Sequence, residues 1–276
     1  MAIKNLLIAY NGGPASDAAL TYAIAVSKKY DAHLTGVLAH GVSKVSRNIP
    51  SWFSSDMQAS IRGVLAQKAV EIEAKFRKAA KGEVPEGKTH WIEVGGNPDQ
   101  TVSDYAMLHD LTIVGQYENL VEADELELHP DRITHTSGRP VVLVPKSYTD
   151  VRLDTDAVLA WDGNRTATQA LSAAMLVLET KKKVTVVTVE SPHLGTPLQG
   201  IDVTTVLARH GVEAEHLQMA NPKGSVADAV LGVCRDAGAG LLVMGAYERS
   251  RLGQEFIGGV TKEVIRKTHI PVLMCH

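Results

Sequence analysis

Short runs of apolar residues alternate with longer amphipathic stretches along the whole chain. In the first half, apolar runs predict strands at 3–10, 33–39, 90–94, 111–114 and 141–144, and helical spacing predicts helices at 14–29, 58–81 and 99–108. The second half predicts strands at 157–161, 184–189, 213–217, 241–244 and 272–274, and helices at 166–178, 203–210, 225–236 and 255–267. Continuous Val, Leu and Ile runs indicate parallel strands covered by helices on both faces. We therefore predict an α/β fold of two doubly wound domains, each with a five-stranded parallel sheet between helices.

The two halves repeat three short patterns in the same order, which indicates a duplicated domain. The first strands are followed by an aromatic residue, a small polar residue and glycine, as Tyr10-Asn11-Gly12 and Trp161-Asp162-Gly163. The fourth strands lead into Gly115-Gln116-Tyr117-Glu118 and Gly245-Ala246-Tyr247-Glu248. A proline precedes each last strand, at Pro140 and Pro271. We place the domains at residues 1–148 and 152–276, and we predict that the two last strands are edge strands that pair across an internal pseudo-two-fold axis.

Parallel sheets of this class bind ligands in a crevice beyond the carboxyl ends of their strands. The turns after the first and fourth strands are therefore the places where chemistry is expected. In the second half, Gly245 ends a strand, and Gly258-Gly259-Val260-Thr261 opens a helical stretch. Glycines before a helix let a phosphate approach backbone N–H groups, and the helix N-terminus favours an anion. The alternative is that Gly245 only ends its strand and that Gly258 and Gly259 permit tight packing.

These motifs resemble the universal stress protein family, whose glycine motif is Gly-x2-Gly-x9-Gly-(Ser/Thr). The resemblance covers both halves and is strongest in the second. It implies the adenine nucleotide alpha hydrolase-like fold and, in many members, a bound ATP, although other members bind no nucleotide. The positions that it assigns to an adenine nucleotide, ATP or another, are Asp162 near the base and ribose, Val189 near adenine, and Gly245, Gly258, Gly259 and Thr261 around the phosphates.

Two positions depart from the family motif in the second half. Glu248 stands in place of the second glycine, and Gly259 stands in place of the Ser/Thr, with Thr261 offering a hydroxyl nearby. A carboxylate beside a polyphosphate is repulsive, by about 1–4 kcal/mol for like charges ~4 Å apart at solvent-like to surface dielectrics. We therefore predict that, if this crevice binds an adenine compound, its preference runs toward fewer phosphates than the family norm. Arg249 and Arg251 either offset this charge or are simply solvated.

The first half departs further from the motif. Asn11 replaces the acidic residue, and no glycine stands where the cradle would be. Instead, this segment carries a run of acidic residues, namely Glu118, Glu122, Asp124, Glu125 and Glu127. Such a run is usually a solvated loop, but in either case it opposes a bound polyphosphate. We predict that the first half binds no ATP.

Composition narrows the remaining possibilities. The 28 Lys and Arg residues nearly balance 31 Asp and Glu residues, which gives no electrostatic case for nucleic-acid or anionic-membrane binding. The two cysteines, Cys234 and Cys275, lie in apolar surroundings without metal-ligand spacing, so we expect core residues and no metal. No apolar stretch approaches the ~20 residues of a spanning helix, and no signal peptide is evident. A cytoplasmic protein is expected.

The interpretation favoured by these features is a non-enzymatic tandem universal stress protein that binds a small ligand or a partner in stress response. One alternative is a protein that binds ATP, or hydrolyses it slowly, with its second half. Another is a degenerate scaffold whose crevices bind no nucleotide. The predicted internal pseudo-dimer is compatible with a homodimer of the whole chain. The non-enzymatic interpretation is compatible with slow ATP hydrolysis.

Overall fold

The computed structural model describes residues 3–41, 55–118, 126–190, 194–220, 224–246 and 259–276. The strands are β1 Asn5–Ala9, β2 His33–His40, β3 Thr89–Gly95, β4 Leu111–Gly115, β5 Val141–Val144, β6 Ala157–Ala160, β7 Val184–Val189, β8 Ala214–Met219, β9 Leu241–Gly245 and β10 Val272–Cys275. The helices are α1 Pro14–Tyr30, α2 Ser55–Ala80, α3 Pro98–Ala106, α4 Pro130–Ser137, α5 Arg165–Leu178, α6 Val203–Arg209, α7 Val226–Asp236 and α8 Gly259–Lys267, with a short 3-10 helix at Glu86–Lys88. None of the helices in these described ranges is long and apolar enough to cross a lipid bilayer.

All ten strands form one continuous sheet in the order β3-β2-β1-β4-β5-β10-β9-β6-β7-β8. Within each half the strands are parallel, which confirms the predicted α/β architecture of two repeated units. The halves meet where β5 and β10 pair antiparallel, with Leu273 opposite Val142 and Val272 opposite Leu143. The predicted pairing of the two last strands is therefore confirmed. It covers an apolar strand edge in each half that would otherwise be open to aggregation.

Helices cover both faces of this sheet, and each face forms one apolar core that includes both halves. On one face, α1, α2, α5 and α6 pack on the sheet. On the other face, α3, α4, α7 and α8 do so. Successive strand residues alternate between the faces, since Leu6 and Ile8 belong to the first core and Leu7 to the second. Cys234 and Cys275 are both buried free thiols, as predicted, and burial raises the pKa of Cys234 to about 12.

One helix differs from the sequence-based expectation. Helix α4 was not predicted, because it carries a single large apolar residue, Ile133, among polar residues. Its two ends nevertheless carry ordinary signals, since Pro130 opens the helix and Gly138 ends it with a φ of 59°.

The two halves also differ in the length of one helix, as the predicted ranges 203–210 and 58–81 indicated, since α6 has 7 residues where the corresponding α2 of the first half has 26. The two crevices are consequently covered by different parts of the chain.

Candidate functional site

Three of the second-half residues that the sequence assigned to a ligand lie at the carboxyl ends of neighbouring strands. Strands β9, β6 and β7 are neighbours and parallel, so their carboxyl ends lie side by side. Asp162 follows β6, Val189 ends β7 and Gly245 ends β9. The Val189 side chain is buried in the apolar core on the face of the sheet that α3, α4, α7 and α8 cover. These three positions therefore lie at the carboxyl ends of the strands, which is where parallel sheets of this class bind their ligands.

The Asp162 turn is held by its own backbone and by a segment from further along the chain. The Asp162 Oδ1 atom accepts a hydrogen bond from the Asn164 N–H at 2.9 Å, and its carbonyl accepts one from the Gly195 N–H at 2.7 Å. Gly163 has a φ of +75°, and a Cβ on Gly195 would lie 2.6 Å from the Gly163 carbonyl oxygen. In the described part of the chain, the half-buried Asp162 carboxylate accepts that one hydrogen bond only, so it retains capacity for further donors.

A polar pair missed by the sequence analysis supports this turn from the neighbouring strands. The Thr188 hydroxyl donates to the Trp161 carbonyl at 2.9 Å and lies 2.9 Å from the Nε2 atom of His216. Since the hydroxyl hydrogen is directed to the carbonyl, His216 Nε2 acts as the donor in the second bond. The available signal was a threonine just before Val189, in a strand whose other residues are valines and Thr185. The pair ties the end of β6 to β7 and β8.

Gly245 is required by helix packing, whatever binds in the crevice. A Cβ at Gly245 would lie 2.6 Å from the Ala167 backbone nitrogen and 2.6 Å from the Thr166 carbonyl carbon, both at the start of α5. Gly115 repeats this contact in the first half, where a Cβ would lie 2.6 Å from the Ala15 carbonyl carbon at the start of α1. This close approach of strand and helix accounts for a glycine in both halves without a phosphate.

The start of α8 carries the remaining site positions. Gly259 is its first residue and is exposed, and a Cβ there would have no described neighbour within 4 Å. Thr261 lies in the first turn and is buried, with 4% of its surface exposed. Gly258, and with it Glu248, Arg249 and Arg251, lies outside the described residues. In the described part of this segment, the backbone at Gly259 is therefore the group best placed to meet an anion.

In the first half, groups of the chain itself occupy the corresponding turn and helix start. The Glu118 Oε2 atom accepts a hydrogen bond from the Ala15 N–H at 3.0 Å, in the first turn of α1, and its Oε1 atom pairs with Lys146 at 3.2 Å. The Asn11 side-chain amide donates to the Leu126 carbonyl at 3.1 Å, and the Leu126 side chain is buried in the core. An internal carboxylate therefore takes the place that a bound anion would take at this helix N-terminus.

Helix α2 packs against the same turn of the first half, at Gly12. Ile72 lies against Gly12, where a Cβ would be 3.0 Å from its side chain, and the Lys75 ammonium donates to the Gly12 carbonyl at 3.0 Å. Nearby, the Tyr10 hydroxyl donates to the Asp17 Oδ1 atom at 2.7 Å, and burial together with this carboxylate raises the pKa of Tyr10. The prediction that the first half binds no ATP is consistent with this closed arrangement and stays a prediction.

Within the described ranges, no group of three or more His, Cys, Asp or Glu side chains is arranged to hold a metal ion.

Comparisons of the chain with known proteins agree on one family. The model of the universal stress protein family matches residues 2–145 and 156–276. A universal stress protein of Archaeoglobus fulgidus has the same fold, with a TM-score of 0.70 and 16% identity over 98% of this chain and 96% of the other. A putative universal stress protein of Pseudomonas aeruginosa gives 0.58 and 15% over 99% and 93%.

A curated relative, universal stress protein Slr1230 of Synechocystis, is 28% identical over 148 residues, which is 52% of this chain and 49% of that protein. The alignment thus spans about half the length of the relative. The likeness to the two solved structures shows the fold, and the two family-model matches together cover most of the chain. The chain therefore belongs to the universal stress protein family and carries two copies of its domain in tandem.

Proposed function

We propose that this protein acts in stress response by binding a small ligand or a partner, without catalysis, and that the second-half crevice at Asp162 receives the ligand. The observation that carries the proposal is the difference between the two halves. The Asn11 side chain donates to the Leu126 carbonyl and accepts from the Gly13 N–H, whereas the Asp162 carboxylate accepts one hydrogen bond, from the Asn164 N–H, among the described residues. We place the domains at residues 1–148 and 152–276, with the site in the second.

The ligand class that these groups favour is an adenine compound. A carboxylate at Asp162 can accept hydrogen bonds from ribose hydroxyls. Val189 offers an apolar contact for a base, and the exposed start of α8 at Gly259 offers unpaired N–H groups and a favourable partial charge to a phosphate. The competing proposal is a scaffold whose crevice is empty or differently filled, and a further one is slow ATP hydrolysis in the second half.

Glu248, which occupies the sequence position in the second half that Glu118 has in the first, lies outside the described residues. Its carboxylate charge opposes a triphosphate most, a monophosphate less and a nucleoside least. The preference of the site should therefore run toward fewer phosphates.

The decisive experiment identifies what the native protein carries and then measures binding. Mass spectrometry of small molecules released from freshly purified protein names the ligand, and calorimetry with ATP, AMP and adenosine ranks the compounds. Asp162→Ala should abolish adenosine and AMP binding, because it removes the ribose acceptor. The matched change Asn11→Ala in the first half should leave binding unchanged. Equal effects of the two changes, or no binding of any adenine compound, would exclude this site in favour of the empty scaffold.

Glu248→Gly tests the charge argument separately. It should strengthen ATP binding by about 1–2 kcal/mol, since a like charge is removed, and should leave adenosine binding nearly unchanged. Calorimetry on the full chain gives both values. If the wild type binds ATP tightly and the substitution weakens it, Glu248 acts on the ligand side, through a metal ion for example, and the charge argument is wrong.

A further inference from the structure

A second cleft lies between the two halves, at the opposite edge of the sheet from the crevices. It is formed where the ends of α1 and α5 converge over the first residues of β4 and β9, Leu111 and Leu241. The residues that matter for its chemistry are Tyr30 and Lys29 on α1, Lys181 after α5, and Leu153 in the segment that joins the halves. The walls are otherwise mostly apolar, and the cleft is narrow.

Two lysines from different halves converge on one carbonyl oxygen in this cleft. The Lys181 ammonium donates to the Leu153 carbonyl at 2.8 Å, and the Lys29 ammonium lies 3.4 Å from the same oxygen. Lys29 also pairs with the Asp154 Oδ1 atom at 2.7 Å and donates to the Thr180 hydroxyl at 3.1 Å. The Asp154 side chain is 83% exposed and can turn into solvent at little cost. Lys29 is therefore a cation available to a second anion.

The surroundings of Lys181 favour its uncharged form. Burial and the neighbouring Lys29 charge lower the pKa of Lys181 to about 8, against the smaller opposing effects of Asp154 and Asp156. An amine is a nucleophile only when it is uncharged. At pH 7.5 a pKa of 8 leaves on the order of 100-fold more free amine than the ordinary lysine pKa of about 10.4.

One polar group in the cleft, the Tyr30 hydroxyl, is buried and has no hydrogen-bond partner among the described residues. Counted from the first residue of each helix, Tyr30 and Lys181 hold equivalent positions in the two halves. The cleft thus combines a nucleophilic amine, a second cation and a free hydroxyl donor within mostly apolar walls. Such a set suits a small neutral electrophile that becomes an anion on reaction.

We propose that Lys181 reversibly binds carbon dioxide as a carbamate. The uncharged Nζ atom attacks the carbon of CO2, a C–N bond forms, one C=O electron pair moves onto oxygen, and one proton leaves nitrogen for solvent. The product is a carbamate anion whose N–H can still donate to the Leu153 carbonyl. Lys29 supplies the counter-charge, and the Tyr30 hydroxyl supplies a hydrogen bond to a carbamate oxygen. The charge at position 181 changes from positive to negative at the junction of the two halves.

The test uses the full chain equilibrated with 13C-labelled bicarbonate and CO2 at pH 7.5. Trapping with triethyloxonium converts carbamates to stable ethyl carbamates, and cleavage after glutamate releases the fragment 180–190, which contains Lys181 and its neighbours Lys182 and Lys183. Tandem mass spectrometry should locate the label on Lys181 at a level about tenfold above Lys182, because Lys181 lines the cleft with Lys29 and Tyr30 and Lys182 does not. Label absent from Lys181, or equal at Lys182, would overturn the proposal without any variant.

Variants then test the groups around the amine. Lys181→Arg should remove the carbamate resonance from the 13C spectrum, whereas Lys182→Arg should retain it. Tyr30→Phe keeps the ring and the charge balance and should lower occupancy several-fold, as should Lys29→Met. The exposed Lys78→Met is the control for lost surface charge, and circular dichroism confirms that each variant is folded. If Lys29→Met and Tyr30→Phe both leave occupancy unchanged, the two groups do not hold the carbamate.

Discussion

Glu118 links three parts of the first half through one carboxylate. Its side chain, 16% exposed, accepts the Ala15 N–H at the start of α1 and pairs with Lys146 beyond β5. A carboxylate at a helix N-terminus satisfies an otherwise unpaired donor and interacts favourably with the helix dipole. The same contact fills the position at which an anionic ligand would meet this helix. A stabilising cap and a closed crevice are therefore two consequences of one residue.

Replacing Glu118 tests the cap. Glu118→Ala should lower the free energy of unfolding by about 1–2 kcal/mol, because the Ala15 N–H loses its acceptor and Lys146 its partner. Glu118→Gln, which keeps a neutral acceptor, should lose less. Urea titration of the full chain measures both, with the exposed Glu86→Gln as the matched control. A loss for Glu118→Ala no greater than for the control would show that the carboxylate contributes nothing as a cap.

The role of Glu118 could not be predicted from the sequence. There, Glu118 was interpreted only as a charge that repels phosphate, because its partner Ala15 is 103 residues away along the chain. The same limit applies to Thr188 and His216, which lie on neighbouring strands. Asp162 and Val189 were placed correctly at the carboxyl edge because they follow strands that the apolar pattern had already located. Local position was predictable, and contacts between distant segments were not.

At the scale of elements, glycine at the end of β4 and β9 sets how closely the first helix of each half approaches the sheet. Gly115 meets the start of α1, and Gly245 meets the start of α5, in both cases with helix backbone within 2.6 Å of a would-be Cβ. Backbone atoms cannot move aside as the tip of a flexible side chain can. The sequence assigned the glycine at the end of β9 to a phosphate site. The same glycine, and its counterpart at the end of β4, also permit close packing of strand and helix in each half.

Alanine substitutions separate packing from ligand contact. Gly115→Ala and Gly245→Ala should each lower the free energy of unfolding by about 1–3 kcal/mol, because the added methyl forces the helix away from the strand. An added methyl at Gly259 has no neighbour within 4 Å among the described residues, so Gly259→Ala should change this free energy by less than about 1 kcal/mol. Chemical denaturation measures all three. If Gly245→Ala is as harmless as Gly259→Ala, close packing does not explain the glycine.

Element boundaries show where sequence patterning is sufficient and where it fails. The strongly apolar strands were predicted from their continuous apolar runs. The pairing of the last strands was predicted from the repeat and from the family resemblance, which implies pairing through this strand, and the structure confirms it. Helix α4 was not predicted because Ile133 is the only large aliphatic residue on its buried face. Its proline start and glycine end were present in the sequence, but such signals are weak without an apolar period between them.

At the scale of the whole molecule, we expect the two repeats to unfold as one cooperative unit. The sheet is continuous across β5 and β10, and each of the two apolar cores contains residues from both halves. The Gln116 side chain, at the end of β4, donates to the Ile265 carbonyl of α8 at 2.9 Å, so the contact extends beyond the strands. A perturbation at the junction should therefore reach both halves.

Leu273→Ala tests this coupling at the centre of the sheet. Leu273 is 1% exposed and pairs with Val142 across the junction, so the substitution leaves a cavity and should cost about 2–5 kcal/mol. Unfolding can be followed in each half by its own tryptophan, Trp91 or Trp161, with the other tryptophans changed to phenylalanine. We expect one midpoint for both probes and an equal shift in both on Leu273→Ala. The exposed Leu198→Ala should shift neither. A shift at Trp161 alone would mean that the halves unfold independently, since shared cores and a shared sheet require that the loss at one strand be felt on both sides.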